Sequence, residues 1–184
     1  MRADAYNRIS TPCMESAQHI QTHLETASEI EPRKSLDSGN VLPHVGRQMS
    51  DLVAYVDGGS HGNPGPSGIG VVINASDGSQ IKIARWIGYQ DNNVAEYVAL
   101  LEALQHAVAR EAKALHVFSD SEVVVKQMKG EYVCRSPRLY SLHWVCRKLA
   151  KSVSFSISHL PRDHNQEANR LANSAALDQC FTTG

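Results

Sequence analysis

Three carboxylates interrupt segments that are otherwise apolar. Asp57 follows "AYV" and opens a stretch with six glycines between Gly58 and Gly70. Glu96 lies inside "NNVAEYVALLEAL", and Asp120 closes "HVFSD". If Asp57 and Asp120 end neighbouring parallel strands, both emerge at one edge of a sheet. Glu96, in the first turn of a helix and at the margin of its apolar face, can be aimed back at them. Three acids at one point repel one another, so a cation is required between them. Hard oxygen donors with room for water suit magnesium or manganese. Each acid also has a plainer reading: Asp57 stabilises a turn, Asp120 caps a helix, and Glu96 answers a helix dipole. The constellation favours the cation, because all three sit at ends that the predicted elements bring together.

Those elements begin at Asp51. "LVAYVD", "SGIGVVIN" and "QIKIARWIG" read as strands, the last two joined by a hairpin turn at "DG" (77–78). A long helix follows in "NNVAEYVALLEALQHAVAREA", with Val94, Tyr97, Leu100, Leu101, Leu104, Ala107 and Val108 on one face. "ALHVFSD" is a fourth strand. "SEVVVKQMKG" is a short helix ended by Gly130, and "SPRLYSLHWVCRKLA" a second one, with Ser136 as N-cap and Pro137 first. "VSFSISHL" alternates as a fifth strand. "DHNQEANRLANSAAL" closes as a helix with Ala168, Leu171, Ala172 and Ala175 inward. The order β-β-β-α-β-α-α-β-α predicts an α/β fold: a five-stranded mixed sheet, three antiparallel strands then two parallel, flanked by helices.

Residues 1–50 differ. They are polar, with three prolines, five Lys/Arg and six Asp/Glu, and predict a flexible N-terminal extension. Within it, "TPCMESAQHIQTHLETAS" could form a short helix capped by Thr11. Residues 51–184 hold thirteen Lys/Arg and thirteen Asp/Glu, so no global basic field draws the chain onto a polyanion. Cys13, Cys134, Cys146 and Cys180 show no metal-finger spacing and read as reduced thiols. No apolar run has the length of a membrane span and no signal peptide is apparent, so a cytoplasmic, monomeric protein without membrane partners is expected.

"YVDGGSHGNPGPSGIGVV", "NNVAEYVALLEAL", "FSDSEVVVKQMKGEY" and "HLPRDHNQEANRLA" together resemble type 1 ribonuclease H, over roughly residues 51–178. The resemblance implies a ribonuclease H domain over 51–184. It implies an endonuclease that cuts the RNA strand of RNA–DNA hybrids with two magnesium ions, manganese being a substitute, and leaves 5′-phosphate and 3′-hydroxyl ends. Asp57, Glu96 and Asp120 are then metal ligands, Asp57 being shared. The family's fourth carboxylate falls at Asn169, whose amide oxygen can ligate but brings no charge. A family histidine before the last helix maps to His159, with His164 close by. Gly58, Asn63, Asn92, Asn93, Ser121 and Glu122 map to substrate contacts in the minor groove. Glu122 stands where the family often has glutamine. It can accept from a 2′-hydroxyl but cannot donate. The basic protrusion of some relatives is absent, and Lys126, Lys129, Arg135 and Arg138 give only a cationic rim. Two other readings compete: a catalytically weakened hybrid-binding or structural module on the same fold, suggested by Asn169 and the extra 50 residues, and another nuclease of the same superfamily such as a 3′–5′ exonuclease. The asparagines before Glu96 and the "GNPGP" loop disfavour the exonuclease.

Overall fold

The computed structural model of the chain describes residues 50–178. The expected extension, its Thr11-capped helix, Cys13 and Cys180 lie outside the described residues. The chain runs β1 (Asp51–Ser60), β2 (Gly65–Ala75), β3 (Gln80–Gln90), α1 (Asn92–Ala109), β4 (Ala114–Ser119), α2 (Glu122–Lys129), α3 (Pro137–Leu149), β5 (Ser154–His159) and α4 (Gln166–Asp178). Short 3-10 turns at Ala150–Ser152 and Arg162–His164 lead into β5 and α4. The five strands lie in the order β3-β2-β1-β4-β5. β1, β2 and β3 pair antiparallel, while β4 and β5 join in parallel beside β1. The predicted mixed sheet is therefore the one observed.

The two faces of the sheet are packed differently. Leu52, Ala54, Val56, Ile69, Val71, Ile73, Leu115 and Val117 form a thick core with Tyr97, Leu100 and Leu104 of α1. The buried side of α1 is richer in small residues than the periodicity suggests. Ala95, Ala99 and Ala103 are buried, whereas Val94, Leu101 and Val108 are only half-buried. Gly58 shows why. A Cβ there would lie 2.1 Å from the Ala95 carbonyl carbon, so helix and strand backbones touch. On the opposite face α4 lays Ala168, Ala172 and Ala176 on β2. A Cβ at Gly70 would lie 2.0 Å from the Ala168 carbonyl oxygen. Leu171, expected inward, is only half-buried. Glycine on the sheet and alanine on the helices thus fix two helices at backbone distance.

Local signals act largely as expected. In the hairpin turn, Asp77 Oδ1 accepts from the Ser79 N–H at 2.8 Å. Gly130 ends α2 in the left-handed conformation, φ 83°. Ser136 holds the N-cap position of α3 with Pro137 next, but its side chain makes no capping bond. Cys146 is buried and its thiol is pushed up to about 12 by burial, which suits an inert thiol. Among the described residues no helix is long and apolar enough to cross a membrane.

Candidate active site

Asp57 does not end its strand, contrary to expectation. β1 continues to Ser60, held by β2 through the pairs Asp57↔Gly70 to Ser60↔Ser67. What ends before Asp57 is the other neighbour: β4 pairs with β1 only as far as Val56↔Ser119. Asp57 is thus the first residue of β1 beyond β4, and Asp120 follows the last residue of β4. The two carboxylates meet across that step. β5 brings His159 to the same edge, opposite Ser119 in the parallel register.

Glu96 comes from α1. It is the fifth helical residue, so it stands at the start of the second turn and not in the first, where no acid lies. The contact of Ala95 with Gly58 sets Glu96 against the end of β1. Its carboxylate accepts from Asn92 Nδ2 at 3.0 Å and from Ser121 Oγ. Ser121, not Asp120, is the N-cap of α2, since its Oγ accepts from the Val124 N–H. The plainer readings of Asp120 as a cap and Glu96 as a first-turn acid are thereby excluded. Asp57, Gly58, Gly59, Ser60, Asn92, Glu96, Asp120 and His159 line one cleft of about 350 Å³.

The electrostatics are those of acids held together. Asp57 is 7% exposed. Burial, then the charge of Asp120, pushes its carboxyl up to about 6, against an opposing pull from Arg162. Burial pushes Glu96 up to about 7, with the hydrogen bond from Ser121 opposing and the charges of Asp57 and Asp120 adding to the rise. Among the described residues, no three His, Cys, Asp or Glu side chains stand close enough together to enclose a metal ion as placed. The fit to a divalent cation is therefore one of donor type and charge: hard oxygens, and a mutual repulsion that a cation relieves.

At the fourth position, Asn169 Nδ2 donates to Asp57 Oδ2 at 3.1 Å. Its Oδ1 accepts from Asn173 Nδ2 at 2.9 Å. The amide therefore turns its donor, not its ligating oxygen, toward Asp57. The two histidines separate. His159 is the last residue of β5, not a loop residue, and opens into the carboxylate cleft; His164 lines a different depression with Tyr55, Asn74 and Glu167.

Of the mapped substrate residues, Gly58 and Asn92 line the cleft. Asn63, exposed in the glycine-rich loop, accepts through Oδ1 from the Asn92 N–H at 3.1 Å, and so caps α1 from a distance. Asn93 is exposed beside it. Glu122 is exposed and paired with Lys126 at 2.5 Å. Of the cationic rim, Lys126 is thus neutralised, and Arg138 is paired with Asp91 at 2.6 Å.

Three residues escaped the sequence reading. Arg162 and Asn173 line the cleft. Asn165, 1% exposed, donates through Nδ2 to the Val56 carbonyl at 2.9 Å and to Asp120 Oδ1 at 3.4 Å. It ties the start of α4 to β1 and to Asp120. Only its place four residues before Asn169 could have pointed to it.

Residues 55–175 match the family model described as reverse transcriptase-like. A bifunctional protein of Mycobacterium tuberculosis is 39% identical over 127 residues, 67% of this chain and 35% of its own length. Ribonuclease HI of Halobacterium salinarum is 38% identical over 127 residues, 68% of this chain and 64% of its own. The chain thus spans about a third of the mycobacterial relative and just under two thirds of the halobacterial one. The crystal structure of RNase H1 from Halobacterium salinarum superposes with a TM-score of 0.66 at 37% identity, covering 70% of this chain and 98% of that one. LC11-RNase H1, isolated from compost by a metagenomic approach and solved in complex with an RNA/DNA hybrid, gives 0.65 at 33% identity, covering 71% and 99%.

Proposed function

The chain belongs to the type 1 ribonuclease H family, and on that premise we propose that it hydrolyses the RNA strand of RNA–DNA hybrids, leaving 5′-phosphate and 3′-hydroxyl ends. The observation that carries the reading is the convergence of Asp57, Glu96 and Asp120 on one cleft at the step between β1 and β4. The likeness to LC11-RNase H1, solved with its hybrid, supports the substrate class.

In this reading Asp57, Glu96 and Asp120 would hold divalent cations, magnesium or manganese, through their hard carboxylate oxygens. Such ions would supply an activated water and charge stabilisation at the leaving 3′ oxygen. The protein's part is positioning. Ser121 and Asn92 orient the Glu96 carboxylate, and Asn165 orients Asp120. His159, exposed at the cleft mouth, moves a proton or helps product leave. Gly58, mapped as a substrate contact, instead admits the backbone of α1 and so sets Glu96 at the cleft, while Asn63, Asn92 and Asn93 meet sugar hydroxyls and base edges in the minor groove, where RNA differs from DNA. Ser121 and Glu122 flank that contact.

Asn169 gives ground for a second reading, a weakened hybrid-binding module, because it offers a donor where the family has a charged ligand. Cleavage of a labelled hybrid by wild type, Asp57→Asn and Asn169→Asp, titrated with magnesium, tests both. RNA-strand cleavage that disappears in Asp57→Asn supports hydrolysis. Asn169→Asp is expected to reach half-maximal rate at lower magnesium. Hybrid bound but uncut by wild type, with cutting in Asn169→Asp, would select the module.

A further inference from the structure

One side of α3 presents a surface that the carboxylate cleft does not use. Tyr140, His143, Trp144, Arg147, Lys148 and Lys151 recur at intervals of three and four residues, so they form one stripe along the helix and the turn that continues it. They line a shallow depression of about 340 Å³. Tyr140 is 61% and Trp144 53% exposed, although both are large rings whose burial would be favourable. Lys148 Nζ lies 5.2 Å from the centroid of the Trp144 ring. Arg147 is anchored by donating to the Met128 carbonyl at 3.4 Å. The lining contains no carboxylate, and among the described residues no ion pair holds Arg147, Lys148 or Lys151.

We propose that this stripe binds single-stranded nucleic acid, with unpaired bases stacked on Trp144 and Tyr140 and phosphates held by Arg147, Lys148 and Lys151. Three unopposed cations on a chain of neutral balance select a polyanion. The aromatics select what kind. A duplex offers its phosphates and hides its base faces, so exposed indole and phenol rings would gain nothing from it. An unpaired base has a free π-face, and stacking accepts any base. One helical turn separates the two rings by about 6 Å along the axis, wider than the roughly 3.4 Å between stacked bases of a duplex strand. That spacing suits a strand whose bases are splayed apart, as in the single-stranded stretch next to a hybrid.

The test is binding without hydrolysis, in EDTA, so that its outcome is separate from that of the nuclease reading. The full chain carrying Trp86→Phe keeps Trp144 as its one tryptophan. Titrated with an oligothymidylate of about a dozen nucleotides, it is expected to show quenched Trp144 fluorescence. Affinity should fall with salt at a log–log slope of about −2, the value for three phosphate contacts on a single strand. By anisotropy, Trp144→Ala should bind about tenfold more weakly, while Trp144→Tyr retains most of the affinity. Lys148→Ala with Lys151→Ala should weaken binding and flatten the slope by about 1.4. Thermal melts matching wild type establish that the variants are folded. Unquenched Trp144, unchanged binding by Trp144→Ala, or equal affinity for blunt duplex DNA, polyphosphate or an acidic peptide would each overturn the proposal.

Discussion

Asp57 and Glu96 are pushed up to about 6 and about 7, above the ordinary carboxylate value of about 4. The folded, metal-free chain therefore holds these protons more tightly than the unfolded chain does. Their stabilising contribution is present below about pH 4 and is lost as pH rises through about 6 to 7. Melting in EDTA should accordingly show Asp57→Asn gaining Tm over wild type at about pH 8 and little or nothing at about pH 4. Magnesium should raise the wild-type Tm more at about pH 8 than at about pH 5, because protons compete for the same oxygens. Asn165 acts by reach instead of charge. Asn165→Ala leaves the Val56 carbonyl buried without its donor, and should cost about 1–3 kcal/mol in urea unfolding and slow hydrolysis. The three acids were legible because each breaks an apolar run. Asn165 was not, since a bond from the start of α4 to a carbonyl 109 positions earlier leaves no local mark.

Two helices reach the sheet through glycine, and this sets where Glu96 and Asn169 stand. Gly70→Ala would drive a methyl to within 2.0 Å of the Ala168 carbonyl oxygen. The expected cost is about 3 kcal/mol in urea midpoint analysis, with lower hydrolysis as α4 and Asn169 shift from Asp57. Element order and strand pairing were readable from alternation and turn residues. Two details were not. Periodicity weights large apolar side chains, so Ala95, Ala99 and Ala103, buried because the backbones touch, went unnoticed on α1. The length of β1 was hidden because Gly58 and Gly59 read as loop, while pairing to β2 carries them as strand.

The whole chain carries a net charge of −1, so attraction to a hybrid rests on local groups. Two of the four rim cations, Lys126 and Arg138, already have carboxylate partners. With two cations left for phosphates, KM for the hybrid should rise only about tenfold when salt goes from about 50 to about 200 mM, with kcat little changed, in steady-state assays. The extension of β1 past β4 has one more consequence. From Gly58 to Ser60 the strand is bonded to β2 alone, and its other edge borders the cleft. That edge offers main-chain amides and carbonyls to whatever enters. A grip made of peptide groups belongs to no particular side chain, so substitution can narrow or distort it but cannot delete its donors short of proline.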